Sequence, residues 1–176
     1  MTAETTPTTT PESTEIAEIT ETFAWDTGTL GAYRDTVTLA AGTTRTATWW
    51  ARTMFEELIG PVPREIVFLG TLALVPHRGP TSIAGWRVAD ATDTRVALTR
   101  GGPLMSGRLV VAAGRDAVSL GLTMTPRNRA GAAVWRRIAP KHRVAARTLL
   151  LGASRRERRQ PDEAPAAPRA DRGPRV

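Results

Sequence analysis

Two histidines, His77 and His142, are the side chains of this chain best suited to proton transfer near neutral pH. No serine, aspartate or glutamate stands at a spacing from His142 that forms a recognisable catalytic constellation. The sequence therefore favours a histidine that packs and hydrogen-bonds within a helix, and it leaves open a catalytic base or a ligand contact. His77 stands beside a Gly-Pro loop, where we expect it to be exposed. Because two isolated histidines without paired acids make a poor ligand set, we predict no metal site.

Arg100 is the arginine whose position suggests contact with a ligand. If Val96 and Leu98 face the core, the alternation of side chains along a strand puts Arg100 on the same face, at the end of the strand. A guanidinium at the mouth of a cavity would suit a carboxylate or another anion. The alternative is that the strand has already ended and that Arg100 points into water.

The composition excludes several kinds of site. The chain has no cysteine, which rules out a disulfide framework, a thiolate zinc site and a cysteine nucleophile. The net charge is +7 overall, with five glutamates and no base in residues 1–22 and seven arginines against four acids in residues 154–176, so the stretch between carries +9. This charge attracts anionic partners without specifying one. Because the arginines are scattered and no nucleic-acid-binding motif occurs, we do not expect a nucleic-acid interface.

The two ends of the chain differ from its middle. Residues 1–22 are acidic and rich in Thr and Pro, residues 154–176 are rich in Arg, Pro and Ala, and neither has enough large apolar side chains to offset the entropy of ordering. We predict two disordered tails around one folded domain, residues 23–153. No apolar stretch is long enough to span a membrane and no signal-peptide pattern occurs, so we expect a cytoplasmic protein.

The first half of the domain predicts one strand and one helix. The stretch "RDTVTLA" (34–40) is rich in Thr and Val, as strands are. Residues 63–75 fit either a buried strand or a short helix, and the proline at their start favours the helix. Between these two stretches the apolar residues recur at helical spacing, with Thr43 or Thr44 as the cap. That helical stripe consists of Ala47, Trp50, Ala51, Met54 and Leu58.

From Ser82 onwards, two pairs of apolar runs predict a meander of at least four antiparallel strands. The runs are joined by the hairpin-like turns "ADATDT" (89–94) and "AAGRD" (112–116). In the last strand, apolar side chains alternate with small or polar ones, which predicts one buried and one solvated face. The predicted buried face consists of Val118, Leu120, Leu122 and Met124.

The final element of the domain is predicted to be a long amphipathic helix. Either Thr125, with Pro126 in the first helical position, or Asn128 can cap its start. Pro140 falls on the face opposite Ile138, where its missing N–H frees a carbonyl that water can reach, so the helix can bend over its core. The inward stripe of this helix consists of Gly131, Val134, Trp135, Ile138, His142, Ala145 and Leu149.

Three stretches carry a resemblance to a known family: "IAGWRV" (83–88), "RGGPLMSGRLVV" (100–111) and "NRAGAAVWRRIAPKHRVAARTLL" (128–150). Together with the order of the elements, they resemble a mainly actinobacterial branch of the START-like helix-grip superfamily (SRPBCC, the polyketide-cyclase and lipid-transport-like proteins). The resemblance implies a curved antiparallel sheet that grips the helix around an apolar cavity. Some relatives carry an NAD(P)-binding domain on the same chain. This chain has no G-x-G-x-x-G motif, so any redox or biosynthetic enzyme would be a separate partner.

We therefore predict an α+β helix-grip domain, with a curved antiparallel sheet wrapped around a long, Pro-kinked C-terminal helix. Its expected function is to bind a small hydrophobic or amphipathic ligand, carboxylates included, without a cofactor and as a monomer or homodimer. The alternatives are a cyclase, dehydratase or isomerase-type enzyme using the same cavity, and an accessory protein that binds a partner through its basic surface. Fold alone does not decide among them. The residues predicted to line the cavity are Trp50, Met54, Trp86, Arg100, Leu122, Met124, Trp135, Ile138 and His142.

Overall fold

Within residues 18–28, 30–59 and 74–160, which the computed structural model describes, seven strands form one antiparallel sheet. The strands are β1 (Ile19–Trp25), β2 (Tyr33–Leu39), β3 (Ser82–Ile83), β4 (Trp86–Ala91), β5 (Arg95–Gly101), β6 (Met105–Ala113) and β7 (Val118–Pro126). Their order across the sheet is β1-β2-β7-β6-β5-β4-β3, and every neighbouring pair is antiparallel. The predicted meander is confirmed as β4 to β7.

Helices cover one face of this sheet. They are α1 (Ala47–Arg52), which continues into a π-helical turn (Thr53–Glu57), and the long α2 (Arg129–Arg159). The first helix packs against β5 and β6, and α2 packs against β2, β7 and the π-helical turn. The apolar sides of the sheet and of both helices meet in a single core. The architecture is therefore α+β, with an antiparallel sheet and a long C-terminal helix, as the sequence predicts.

Strand β7 shows the alternation that the sequence predicts. Leu120 and Leu122 are buried beneath α2, whereas Ser119, Gly121 and Thr123 are only half-buried on the other face. The register carries the same alternation into β2, because directly opposite residues of an antiparallel pair point to the same face. The inner face of β2 consists of Tyr33, Asp35, Val37 and Leu39, all buried.

The start of α1 differs from the prediction. Thr46 caps the helix, and its hydroxyl accepts a hydrogen bond from the Trp49 N–H at 3.2 Å. Thr43 is not the cap because its hydroxyl is used elsewhere: it accepts hydrogen bonds from the Trp50 indole at 3.1 Å and from the Arg45 N–H at 3.0 Å. Thr44 is not the cap either, so both predicted caps were wrong.

Asn128 is the N-cap of α2, which confirms one of the two predicted alternatives. Its Oδ1 accepts from the Gly131 N–H at 2.8 Å. Pro126 ends β7 instead of starting the helix, so the alternative cap at Thr125 was wrong. Pro140 lies within α2 and is exposed, which confirms its predicted place on the outer face.

Regular structure extends past both predicted boundaries of the folded domain. β1 begins at Ile19 and pairs along its whole length with β2, and α2 continues to Arg159. The prediction for residues 63–75 lies outside the described residues, apart from Leu74 and Val75. In the part of the chain that the structure describes, no helix is both long enough and apolar enough to cross a membrane.

Candidate functional site

A pocket of about 480 Å³ lies at the end of the sheet where β5 finishes and β6 begins. Its volume is in the range typical of small-molecule sites. Two arginines and a histidine line it, and none of its described lining residues is acidic, so its surface is electropositive. The lining residues are Val75, Pro76, His77, Arg87, Thr99, Arg100, Gly101, Ser106 and Gly107.

Arg100 reaches this pocket from the inner face of the sheet. It stands opposite Gly107 in the register and therefore shares the face of Val96 and Leu98, as side-chain alternation predicts. Its Nη2 donates to the Leu74 carbonyl at 3.0 Å, while its Nε is buried without a hydrogen-bond partner among the described residues. Burial lowers the pKa of the Arg100 guanidinium from its usual value. Arg100 thus presents a partly desolvated cation with an unused donor.

Residues 75–77 and the tight turn between β3 and β4 form one wall of the pocket. The Val75 N–H donates to the Gly101 carbonyl and the His77 N–H to the Gly85 carbonyl, each at 2.8 Å. Ala84 and Gly85 both have positive φ, 49° and 79°, which gives the two-residue turn between β3 and β4. A Cβ on Gly85 would lie 3.3 Å from the Cβ of Pro76 and 3.9 Å from Nη1 of Arg100. The turn therefore needs glycine to bring this wall close to Arg100.

The other residues predicted to line a cavity between sheet and helix lie mostly in the packed core. Trp86 is half-buried, and its ring lies over Gly107, where a Cβ would come within 2.8 Å of both the Trp86 ring and the Met124 sulfur. Of the predicted set, Arg100 lines the pocket at the sheet end. The members that are buried in the core are Trp50, Met54, Leu122, Met124, Trp135 and Ile138.

His142 lies in a second cluster, which the sequence did not predict. Its Nδ1 is 3.1 Å from Oδ2 of Asp35, and the same oxygen accepts a hydrogen bond from the Tyr33 hydroxyl at 3.0 Å. The Asp35 side chain is 3% exposed, against 22% for His142. An acidic residue on the otherwise apolar face of β2 was the available signal in the sequence. The cluster thus joins a buried carboxylate to a histidine that water can reach.

Aromatic rings surround this Asp35–His142 pair. The Trp135 ring lies 5.6 Å from both the Tyr33 ring and the His142 ring, centroid to centroid. Burial, followed by the charge of Asp35 and its hydrogen bond, raises the pKa of Tyr33 well above its usual value, and Arg143 acts in the opposite direction. The Tyr33 hydroxyl therefore keeps its proton near neutral pH and donates a hydrogen bond to Asp35.

Comparisons of this chain with protein-family models, with curated proteins and with solved structures find no match. Among the described residues, no group of three or more His, Cys, Asp or Glu side chains could hold a metal ion.

Proposed function

We propose that this protein binds a small amphipathic molecule that carries a carboxylate, with the anion held by Arg100 in the pocket at the end of β5. The observation that carries the proposal is the buried Nε of Arg100, which has no hydrogen-bond partner among the residues that the structure describes. A buried N–H that loses water without gaining a partner costs about 1–3 kcal/mol, and more for a charged group. A bound anion would remove that cost.

The geometry of a guanidinium favours a carboxylate over a monodentate anion. Two parallel N–H donors match the two oxygens of a carboxylate, and this bidentate arrangement is the strong form of the interaction. In Arg100 the Nη2 already donates to the Leu74 carbonyl, and the Nε has no hydrogen-bond partner among the described residues. Arg87 lines the same pocket and adds a second positive charge.

The apolar part of such a ligand would contact the wall formed by Val75 and Pro76. Val75 is 61% exposed, so the pocket offers apolar surface next to its cations. This combination fits an amphipathic molecule better than a bare inorganic anion. The sheet-and-helix layout agrees with a helix-grip domain, and the proposed ligand lies in the pocket at the end of the sheet.

The test compares a carboxylate with its neutral analogue. Phenylbutyrate and phenylbutanol share the aromatic tail, and NMR titration of the labelled protein would follow both. We expect phenylbutyrate to shift the amide signals of Gly101 and Gly107 at concentrations where phenylbutanol does not. Replacing Arg100 by Gln should weaken phenylbutyrate binding about tenfold or more, because a charge-assisted hydrogen bond contributes more than 1 kcal/mol.

A matched control is Arg155→Gln. Arg155 is exposed near the C-terminal end of α2 and does not line the pocket, and this substitution removes the same charge from the protein. If Arg155→Gln weakens phenylbutyrate binding as much as Arg100→Gln does, only the overall charge matters. The proposal is then wrong, as it is if the alcohol and the acid bind equally well.

A further inference from the structure

The geometry around Asp35 fixes the hydrogen position on the His142 ring. A carboxylate oxygen only accepts hydrogen bonds, and Oδ2 of Asp35 already receives the hydroxyl of Tyr33. The Nδ1 of His142, 3.1 Å away, must therefore carry its hydrogen towards this oxygen. In the neutral ring the other nitrogen, Nε2, then holds a free lone pair. This is the arrangement in which a histidine accepts a proton.

The His142 side chain is partly accessible. It is 22% exposed, whereas the Asp35 side chain is almost completely buried. Phe23 stands directly opposite Asp35 in the register of β1 and β2, so its side chain lies on the same face of the sheet. Phe23 is 57% exposed and Trp25, opposite Tyr33, is 37% exposed. Two accessible aromatic rings therefore flank the pair.

Guanidinium groups lie over these rings. The Arg143 guanidinium carbon is 4.0 Å from the centroid of Phe23, and that of Arg136 is 5.9 Å from the centroid of Trp25. Arg136 is exposed and Arg143 is half-buried. A cation stacked on an aromatic ring keeps its charge, so it can still attract an anion. We call Phe23, Trp25, Arg136 and Arg143 the aromatic patch. Its chemistry suits an aromatic molecule that carries a negative charge.

We propose that His142, oriented by Asp35, is a general base that removes a proton from the carbon next to the ketone carbonyl of an aromatic 2-keto acid bound at the aromatic patch. In this step the C–H bond breaks, the proton forms a bond with Nε2, and the electron pair moves into the carbonyl to give an enolate. Arg143 compensates the negative charge that develops. Asp35 does not touch the substrate. It is a positioning residue that holds the tautomer and stabilises the imidazolium.

A proton-abstraction site explains features that a purely structural pair would not need. A histidine that serves only to satisfy Asp35 could be fully buried, yet 22% of the His142 side chain is exposed, beside two exposed aromatic side chains. The pair is also separate from the pocket of Arg100, because β7 and β6 lie between β2 and β5. The proposal thus stands independently of the carboxylate-binding function.

The first measurement needs no substrate. The chain has two histidines, so a long-range proton–nitrogen NMR spectrum at mildly alkaline pH contains two sets of imidazole signals. We expect the His142 set to show a protonated Nδ1 and an unprotonated Nε2. A His142 ring protonated at Nε2 would overturn the proposal, because that nitrogen would then have no lone pair to accept a proton.

The second measurement uses phenylpyruvate, an aromatic keto acid with exchangeable hydrogens next to its carbonyl. Proton NMR in heavy water follows the replacement of these hydrogens by deuterium. We expect the protein to accelerate exchange over buffer, and His142→Gln to lower the excess rate about a hundredfold, the scale of general-base catalysis. Asp35→Asn should lower it at least about tenfold, because a neutral amide neither fixes the tautomer nor stabilises the imidazolium.

Asp26→Asn is the matched control for Asp35→Asn. Asp26 is exposed and pairs with Arg34 outside the core, so the same substitution there should leave exchange unchanged. The proposal is overturned if the unmodified protein does not exceed the buffer rate, or if His142→Gln keeps the excess rate. It is also overturned if Asp26→Asn and Asp35→Asn reduce exchange equally.

Discussion

Tyr33 and Asp35 stand two positions apart on β2, and the Tyr33 hydroxyl donates a hydrogen bond of 3.0 Å to Oδ2 of Asp35. Both side chains point into the core because alternate residues of a strand share a face. The same oxygen faces Nδ1 of His142 on α2, so one carboxylate ties the sheet to the long helix. The Asp35 side chain is 3% exposed, so an unsatisfied partner in this contact would be costly.

The ionisation of Tyr33 gives the first prediction. Burial, then the charge and the hydrogen bond of Asp35, raise its pKa, so folded protein should show no phenolate when free tyrosine already ionises, at about pH 10. Tyr33 is the only tyrosine of the chain, so the ultraviolet absorbance of phenolate reports it alone. We expect this absorbance to rise together with the loss of native circular dichroism. Phenolate in still-folded protein at about pH 10 would contradict the prediction.

The direction of the pH effect on stability follows from the same shift. Because the pKa of Tyr33 is higher in the folded state, the unfolded chain releases its proton first as the pH rises. The stabilising contribution is complete below about pH 10, and above it the free energy of unfolding falls by up to about 1.4 kcal/mol per pH unit. Tyr33→Phe should lower stability at neutral pH by about 1 kcal/mol and flatten this alkaline decline. Urea unfolding of both proteins across this pH range measures the difference.

Replacing Asp35 by Ala should destabilise the protein by about 2–4 kcal/mol. The substitution leaves the Tyr33 hydroxyl and Nδ1 of His142 without their partner, one of them in the core. Asp26→Ala is the comparison, since it removes an exposed ion pair with Arg34 and should cost less than about 1 kcal/mol. Denaturant unfolding of the two variants measures both values. Equal costs would mean that the Asp35 cluster contributes no more than a surface pair.

Periodic patterns predicted the parts of the fold that bury one face. The meander and the long helix were predicted because Leu120, Leu122, Trp135 and Ile138 recur at the spacing of a strand or of a helix. β1 was not predicted, because apart from Ile19 all its side chains are exposed and no buried face shows in its sequence. The predicted cap of α1 at Thr43 was wrong because the Trp50 indole donates a hydrogen bond to the Thr43 hydroxyl, a contact that local sequence does not reveal.

The candidate sites were predictable only where local geometry decides the position of a side chain. The alternation along β5 placed Arg100 on the inner face, because that inference needs only local geometry. The partner of His142 could not be predicted, since 107 residues separate it from Asp35. They meet because β2 pairs with β7 and α2 packs on both strands, which is a property of the whole topology.

Gly131 gives a stability prediction whose sign opposes the usual rule. Replacing glycine by alanine within a helix normally stabilises it by about 1 kcal/mol. Here a Cβ would lie 2.1 Å from the Leu104 carbonyl oxygen, which also accepts the Arg127 N–H at 2.8 Å. Because backbone must move, we expect Gly131→Ala to destabilise the protein by about 2–3 kcal/mol in denaturant unfolding.

Gly152→Ala on the same helix is the control for this prediction. The nearest atom to its Cβ would be the Cδ1 of Leu58, at 3.0 Å, which is the end of a flexible side chain. The gain in helix propensity and the cost of moving Leu58 should nearly cancel, leaving stability within about 1 kcal/mol of the unmodified protein. If Gly131→Ala is as stable as Gly152→Ala, the start of α2 does not approach Leu104 as closely as the structure shows.

The turn between β3 and β4 supplies the last prediction. Ala84 has a φ of 49°, a left-handed conformation that costs a residue with a Cβ about 1–2 kcal/mol. Ala84→Gly removes that cost, but glycine also makes the unfolded chain more flexible, which cancels part of the benefit. We therefore expect the free energy of unfolding to rise by about 0.5 kcal/mol. The backbone N–H of residue 84 donates a hydrogen bond of 3.2 Å to Oε1 of Glu56, and the substitution keeps this bond because it does not involve the side chain of Ala84.

Gly85→Ala should act in the opposite direction at the neighbouring position. Its φ is 79°, and the new Cβ would lie 3.3 Å from the Cβ of Pro76, so strain and crowding add. We expect a loss of more than about 1 kcal/mol, measured by urea unfolding, together with weaker phenylbutyrate binding because Pro76 lines the pocket beside Arg100. A stabilised Gly85→Ala variant, or a destabilised Ala84→Gly variant, would contradict the turn geometry on which this wall of the pocket depends.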